Sequence, residues 1–360
     1  MAEGIIMADK LKAGVIGLGV GARHINSYLI HPDVEVIAIA SRSEDPRSAK
    51  IAETFPAFKG KVYEDGMEML AKEKLDIVSV CVPNFLHKDL TIAALESGAN
   101  VLCEKPMALN AADAQEMVDA AKRTGKKLGI NFSYRFRYQS QAMKDLIDSG
   151  IAGDIYYGRS VWLRRRGIPG LAKEGHGNWF FDKSKSGGGP LIDLGVHRLD
   201  LALWLMGYPE PEWVLASTYN HLGTEIAGAA GKTYGVEDFA TAMVKFRNGA
   251  TLQLDASWAA NIKEKDQIST RLLGRKGGVY QYNTDEHYGF ETEYYCEVAG
   301  KQYDGKLHGT GEVPDPYTSF VNAVRDNTEY LVRPEEGVTV MKLLDAIYLS
   351  AQDGVPVKIS

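Results

Sequence analysis

A glycine-rich turn between an apolar strand and a helix is the feature that most constrains this chain. Residues 12–16 predict a short buried strand, and Gly17-Leu18-Gly19-Val20-Gly21-Ala22 follows directly. In this pattern Gly17 allows a tight turn, Gly19 lets the backbone approach a pyrophosphate, and Ala22 permits close packing of helix on strand. The helix that follows presents free N–H groups and a positive dipole end to an anion. The sequence therefore predicts a dinucleotide-binding βαβ unit.

Apolar strands and helices continue to alternate up to residue 131. Further strands are predicted over residues 34–40, 76–82, 100–103 and 127–131, with helices over 45–54, 87–97 and 110–124. Such an alternation is typical of a parallel sheet covered on both faces. We expect an α/β domain with a parallel sheet over residues 7–131, with the dinucleotide-binding turn at its first strand.

The rest of the chain has a different pattern. In residues 251–258, polar and apolar side chains alternate with a period of two, as in a strand with one packed and one wet face. Strands of this kind are also predicted over residues 155–164, 213–221, 239–246, 268–274 and 290–298, with helices over 140–149, 192–206, 317–328 and 338–351. All five tryptophans lie here. We expect an α+β domain with a mostly antiparallel sheet over residues 132–360.

Composition excludes several classes of protein. The net charge of -6 and the pI of about 5.8 do not favour a nucleic-acid partner. No apolar run approaches the ~18 residues of a membrane span. Three cysteines exclude a disulfide framework and an all-cysteine zinc site, and Cys81 and Cys103 are expected to be buried. Charged residues such as Glu3 interrupt any apolar signal segment near the N-terminus. Together with the expected reduced thiols, this predicts a cytoplasmic protein.

The end of the second strand bears on the choice of nicotinamide cofactor. A carboxylate there would hydrogen-bond a ribose 2′-hydroxyl and repel a 2′-phosphate. This chain has Ser41-Arg42-Ser43 instead. The guanidinium of Arg42 can pair with a 2′-phosphate, although it can also lie over an adenine or point into water. The sequence favours NADP(H) over NAD(H), which stays possible.

Two further motifs carry chemistry. Glu104-Lys105-Pro106 follows a predicted parallel strand at its carboxyl end, where ligands bind in such sheets. Asp193 and His197 are spaced i and i+4 after a glycine run, and Asp200 is i+3 from His197. His197 admits three interpretations: a satisfied core histidine, a metal ligand with Asp193, or a proton relay with its neighbouring carboxylate. No clear third ligand accompanies the pair, so no metal is expected.

Taken together, these motifs resemble the glucose–fructose oxidoreductase, inositol dehydrogenase and rhizopine-catabolism (Gfo/Idh/MocA) family. The resemblance implies a Rossmann domain followed by an α+β domain whose large open sheet often serves oligomerisation, hence a homo-dimer or homo-tetramer. It implies that Lys105, Asp193 and His197 carry catalysis. It also implies that further residues meet the cofactor, namely Pro83, Asn84, His87, Glu104 and Asn131.

The expected activity is hydride transfer between a nicotinamide cofactor and a sugar, polyol or glycoside. Trp162, Arg164 and Trp179 are candidate substrate contacts, because tryptophan faces stack on sugars and arginine donates to hydroxyls or carboxylates. Two alternatives stay open: glycoside cleavage assisted by a recycled cofactor, and a non-catalytic protein that senses a dinucleotide. The complete set of Lys105, Asp193 and His197 argues against the sensor.

Overall fold

The computed structural model describes residues 9–171, 177–285, 288–308 and 311–359. The expected start of the first domain at residue 7 therefore lies outside the described residues. The chain divides into two compact units. The first comprises residues 1–107, 115–131 and 314–335, and the second comprises residues 108–114, 132–313 and 336–360.

The strands and helices follow the predicted order, with additions. The strands are β1 (Leu11–Ile16), β2 (Val34–Ala40), β3 (Lys61–Tyr63), β4 (Ile77–Val80), β5 (Asn100–Cys103), β6 (Leu128–Ile130), β7 (Ile155–Arg164), β8 (Pro211–Tyr219), β9 (Phe239–Phe246), β10 (Thr251–Ser257), β11 (Asp266–Gly274), β12 (Gly277–Asn283), β13 (Phe290–Val298), β14 (Lys301–Lys306) and β15 (Val357–Lys358). The helices are α1 (Gly21–Ile30), α2 (Ile51–Thr54), α3 (Gly66–Lys72), α4 (His87–Glu96), α5 (Ala111–Thr124), α6 (Tyr138–Asp148), α7 (Lys183–Ser186), α8 (Val196–Leu205), α9 (His221–Ala229), α10 (Pro316–Arg325) and α11 (Pro334–Asp353).

The first unit is built on a six-stranded sheet in the order β3-β2-β1-β4-β5-β6. Every pair in this sheet is parallel. The central strands β1, β4 and β5 are almost wholly buried, as expected when helices cover both faces. The strand order reverses beside β1, between β1 and β4, and this is where a doubly wound sheet binds its ligand.

Two parts of this unit differ from the sequence prediction. The short strand β3 and helix α3 were not predicted. Asp65 caps the N-terminus of α3, because its side chain accepts the N–H of Glu68. The sequence predicted a helix from Asp45 onward. The carboxylate of Asp45 instead binds the backbone N–H and the guanidinium of Arg47, so the helical segment starts later, with a 3-10 turn at residue 48.

The two units do not meet at a single boundary in sequence. Residues 314–335, which include helix α10 and were predicted within the second domain, belong to the first unit. The physical reason is packing against Gly129 of β6. A Cβ there would lie 2.8 Å from the Tyr330 ring and 2.9 Å from the Phe320 ring. The chain therefore returns to the first sheet after completing the second.

The second unit is built on a nine-stranded sheet in the order β14-β13-β12-β11-β7-β10-β9-β8-β15. Only β7 and β10 pair in parallel, so the sheet is mostly antiparallel, as predicted. Its core contains Trp258, Leu201 and Ile268, all fully buried. Helix α8 supplies much of this core, because each of its ten residues is buried.

The structure tests the expected burial of two cysteines. Cys81 and Cys103 are buried, as predicted, and all three cysteines are free thiols. Burial raises the pKa of Cys103 to about 12, so this thiol stays protonated. Among the helices of the described residues, none combines the length and the apolar character that crossing a bilayer requires.

Candidate active site

The glycine turn of the first unit fits a dinucleotide phosphate. Gly17 has a φ of +98°, and a Cβ there would lie 2.2 Å from the carbonyl oxygen of Cys81. A Cβ on Gly19 would meet only Arg47, at 3.4 Å. No side chain of a described residue caps the first turn of α1, so its N–H groups stay open to an anion. These features are what a bound pyrophosphate requires.

Close helix–strand packing falls on a residue that the sequence motif did not single out. A Cβ on Gly21 would lie 3.1 Å from the Cβ of Cys81 and 3.2 Å from Val15, so this glycine seats α1 on the sheet. Ala22, predicted for that role, is half-buried. Gly17, Gly19 and Gly21 occupy alternate positions of the motif. The motif alone therefore could not decide whether Gly21 or Ala22 allows the close packing of the helix on the strand.

At the carboxyl end of β2, Ser41 is buried and accepts a hydrogen bond from Ser48 at 2.7 Å. Arg42 is exposed, and its side chain makes no hydrogen bond or ion pair within the part of the chain that the structure describes. Arg47, which the sequence analysis did not select, carries the guanidinium nearest Gly19, and Asp45 pairs with it at 2.5 Å. This end of the sheet therefore presents two arginines.

A buried hydrogen-bond network holds the Glu104-Lys105-Pro106 segment. Glu104 Oε1 accepts from Asn131 Nδ2 at 2.6 Å and lies 3.0 Å from His24 Nε2, while Glu104 Oε2 accepts the backbone N–H of Lys105 at 3.2 Å. Burial raises the pKa of Glu104, but the bonds from His24 and Asn131 outweigh it and hold the pKa below its ordinary value. An ionised carboxylate thus fixes the backbone at Lys105, whose side chain is half-buried.

The loop after β4 holds the remaining cofactor candidates. Pro83 is half-buried and Asn84 is buried, at the start of a 3-10 turn. His87 is also buried, and its ring nitrogens lie 2.7 Å from the carbonyl oxygen of Pro106 and 2.9 Å from that of Val82. Burial lowers the pKa of His87. The contacts of His87 join this loop to the Lys105 segment, which is a structural role.

In the second unit, Asp193 stands on a π turn that the sequence did not predict. Residues 191–195 form this turn, and α-helical spacing begins only at residue 196. The spacing of Asp193 and His197 was read as that of an α-helix throughout, whereas the structure begins α8 only after a π turn. Trp258 donates from Nε1 to Asp193 Oδ2 at 3.0 Å. π turns occur often at functional sites.

Glu237 anchors the beginning of that turn. Its buried carboxylate accepts the N–H of Gly189 at 2.9 Å, the N–H of Leu191 at 3.1 Å and the hydroxyl of Tyr348 at 2.8 Å. A Cβ on Gly188 would lie 1.8 Å from the Tyr348 hydroxyl, and one on Gly189 would lie 2.1 Å from the Glu237 carbonyl oxygen. The glycine run is therefore needed for close contact with Glu237 and Tyr348.

His197 lies on α8 beside two aromatic rings. Its ring centroid is 5.1 Å from that of Tyr134 and 5.9 Å from that of Trp162. Asp200, a candidate neighbour at i+3, instead accepts from Arg135 at 2.5 and 3.0 Å and from the Tyr208 hydroxyl at 2.8 Å. The carboxylate of Asp200, which the sequence predicted near His197, thus forms a buried ion pair with Arg135 instead.

The predicted substrate contacts lie in the same unit. Trp162 is buried and donates from Nε1 to Asp266 at 3.2 Å, and Arg164 donates to the same oxygen at 3.1 Å. Trp179 is half-buried and stacks on Phe180 at 3.9 Å. Within the described residues no group of three or more histidine, cysteine, aspartate or glutamate side chains is placed to hold a metal ion.

A parallel-sheet unit with an open phosphate turn, and a second unit with a histidine, a carboxylate and aromatic rings, define an oxidoreductase that binds a nicotinamide dinucleotide. Residues 11–132 match the family model described as oxidoreductase family, NAD-binding Rossmann fold. Residues 140–280 match the model of the GFO/IDH/MocA C-terminal domain. The chain belongs to the Gfo/Idh/MocA family, as the sequence motifs predicted.

Individual relatives cover nearly the whole chain. D-glucoside 3-dehydrogenase of Escherichia coli is 33% identical, over 98% of each chain. D-xylose 1-dehydrogenase (NADP(+)) 2 of Haloferax volcanii is 27% identical, over 96% of this chain and 99% of its own. The structure of levoglucosan dehydrogenase in complex with NADH superposes with a TM-score of 0.82 at 24% identity, over 98% of this chain and all of the other. That last likeness confirms the fold.

Proposed function

We propose that this chain transfers a hydride between a nicotinamide cofactor and a hydroxyl or ketone carbon of a sugar, polyol or glycoside. The observation that carries the proposal is the setting of His197, beside the rings of Tyr134 and Trp162, on the helix that follows the Asp193 turn. Aromatic faces suit the C–H surfaces of a sugar ring, and an imidazole suits exchange of a hydroxyl proton.

Each unit contributes a different part of this activity. The first unit would hold the dinucleotide at Gly17, Gly19 and the start of α1, and a bound nicotinamide supplies or accepts the hydride. During oxidation His197 would take the hydroxyl proton, and the ammonium of Lys105 would stabilise the developing alkoxide. Asp193, fixed by Trp258, would orient the substrate. Reduction uses the same groups in reverse.

The relatives support a carbohydrate substrate. The named proteins act, by their names, on a D-glucoside, on D-xylose and on levoglucosan. The proposal extends that class to this chain. It also places the protein in the cytoplasm, an expectation supported by its free cysteines, without a nucleic-acid or membrane partner.

The His197→Ala variant tests the base assignment. Loss of general base catalysis should lower kcat by roughly 10²–10⁴, while dinucleotide affinity stays unchanged because the phosphate turn belongs to the other unit. The measurement is the absorbance of the reduced nicotinamide with a panel of sugars and polyols. His221→Ala, at an exposed histidine of the same unit, is the matched control. Near-normal turnover in His197→Ala would refute the assignment.

The same assay separates the alternatives. Release of an aglycone from a glycoside, with no net change in nicotinamide absorbance, would indicate redox-assisted cleavage instead of a net dehydrogenase. Dinucleotide binding without either reaction, over the whole panel, would indicate a sensor and contradict the proposed activity.

NADP(H) is the proposed cofactor, with NAD(H) as the alternative. Ser41 leaves the end of β2 without a carboxylate, and the guanidinium of Arg42 is exposed there. Arg47 adds a second guanidinium beside Gly19. Arg42 favours a 2′-phosphate through charge and planar hydrogen bonding, whereas the guanidinium of Arg47 is paired with Asp45. The named relatives include one whose name specifies NADP(+) and one crystallised with NADH.

A further inference from the structure

Three arginines surround the two aromatic rings that flank His197. The guanidinium of Arg137 lies 4.7 Å from the ring centroid of Tyr134, and that of Arg198 lies 5.3 Å from the same ring. Arg164 lies 5.3 Å from the Trp162 ring, which itself contacts Tyr134 at 5.6 Å. The candidate base and three guanidinium groups therefore share one aromatic cluster.

The positive charges of this cluster are only partly balanced. Arg164 pairs with Asp266 at 3.1 Å. Neither Arg137 nor Arg198 pairs with a carboxylate of any residue within the described ranges. Even if Asp193 is counted with Asp266, the described residues place two carboxylates beside three guanidinium groups.

Arg198 shows the imbalance most clearly. Its side chain is fully buried, and Nη2 donates to the Thr270 hydroxyl, whereas Nε and Nη1 have no hydrogen-bond partner in the described structure. Burial lowers the pKa of Arg198 to about 10, so the group keeps its charge at neutral pH. A buried charge without a counter-ion is costly, and an anion nearby would offset that cost.

Arg137 is the member that a ligand can reach. It is half-buried, and its guanidinium is held by the rings of Tyr134, Phe290 and Tyr288, at 4.7, 5.2 and 5.9 Å. Nη1 donates to the carbonyl oxygen of Tyr288 at 3.0 Å. A guanidinium fixed in this way is preorganised for a planar, bidentate contact with a carboxylate or phosphate group.

We propose that the substrate carries an anionic group, the carboxylate of a sugar acid or a phosphate ester, which Arg137 binds while the buried Arg198 adds favourable charge. This proposal rests on the proposed function, because it names the substrate class of the same site. A neutral sugar would leave the excess positive charge unbalanced, whereas an anionic one would neutralise it within a partly dehydrated site.

The test compares matched substrates on the whole enzyme. Methyl glucuronide is set against methyl glucoside, and glucose 6-phosphate against glucose, with NAD(P) and NAD(P)H. We expect kcat/KM to be at least about tenfold higher for the anionic member of one pair, as one charged hydrogen bond provides. Whichever pair shows the effect identifies carboxylate or phosphate. This comparison uses the wild-type enzyme and does not depend on any variant folding.

The Arg137→Gln variant then tests whether Arg137 causes the preference for the anionic substrate. The anionic-to-neutral ratio of kcat/KM should fall by about tenfold to a hundredfold. Arg247→Gln, at an exposed arginine of the same unit, should leave the ratio unchanged. Equal or better turnover of the neutral sugars, or an unchanged ratio in Arg137→Gln, would overturn the inference and leave the proposed function standing. Failure of every sugar, neutral or anionic, would overturn both.

Discussion

At the scale of single residues, His24 orients the carboxylate of Glu104, which holds the backbone N–H of Lys105. Tyr28 lies 2.8 Å from the Ser79 hydroxyl, which lies 2.9 Å from His24 Nδ1. Burial raises the pKa of Tyr28, so it stays a phenol and can donate. A chain of donors from Tyr28 through Ser79 to Nδ1 leaves Nε2 of His24 to donate to Glu104. This arrangement satisfies every group in the chain.

His24→Ala should therefore disturb both stability and activity. It removes a hydrogen bond to the buried Glu104 carboxylate, a loss of about 1.5–3 kcal/mol in the free energy of unfolding. Urea denaturation measures that change. Ser79→Ala keeps the His24–Glu104 contact and should cost less. Equal stability of His24→Ala and wild type would show that the contact contributes nothing.

Cofactor choice is also decided by single residues. If NADP(H) is preferred, Ser41→Asp should reverse the preference, because a carboxylate repels the 2′-phosphate and binds a ribose hydroxyl. Fluorescence titration with NADPH and NADH measures both affinities. Tighter binding of NADH than of NADPH by wild type, by about tenfold or 1.4 kcal/mol, would refute the hypothesis that Arg42 binds the 2′-phosphate.

At the scale of elements, the π turn and the start of α8 depend on Glu237. Burial raises the pKa of this carboxylate, while the N–H groups of Gly189 and Leu191 oppose that shift. Glu237 therefore contributes to the site by holding the backbone that carries Asp193. It touches no reacting atom in this scheme.

Glu237→Gln places an amide N–H₂ against the N–H of Gly189 or Leu191. We expect kcat to fall by roughly tenfold to a hundredfold through misplacement of Asp193 and His197, with dinucleotide affinity unchanged. Steady-state kinetics and cofactor titration measure the two effects. Tyr348→Phe removes one hydrogen bond to Glu237 and keeps both backbone contacts, so its kcat should stay close to wild type. An unaltered kcat in Glu237→Gln would contradict the anchoring role.

At the scale of the whole molecule, the outer face of the nine-stranded sheet is a candidate surface for self-association. Leu215, Met243 and Gln253 lie in register across β8, β9 and β10, and Leu215 is 39% exposed. An open sheet face that mixes apolar and polar side chains is typical of subunit contacts. We propose a homo-dimer or homo-tetramer assembled through this face.

Met243→Arg should break that assembly through charge repulsion and lost apolar contact. Sedimentation velocity at micromolar concentration should show an oligomer for wild type and a monomer for the variant. Lys301→Glu, on the exposed strand β14, is a control for a change of charge. A monomeric wild-type protein would contradict the proposal.

The linear sequence by itself determined the two sheet classes, parallel and then mostly antiparallel, the phosphate turn and the family, because these depend on local periodicity and on glycines at fixed spacing. It also predicted that Lys105 follows a strand and that His197 lies on a helix, as the structure has them. Tertiary structure decided the rest, since each remaining contact joins residues far apart in the chain. Examples are the hydrogen bonds of Glu237 with Gly189, of Trp258 with Asp193 and of His24 with Glu104. Another is the ion pair of Asp200 with Arg135, in place of a contact with His197. No periodicity in a single segment encodes such pairs, because burial and hydrogen bonding choose them only when the sheets are complete.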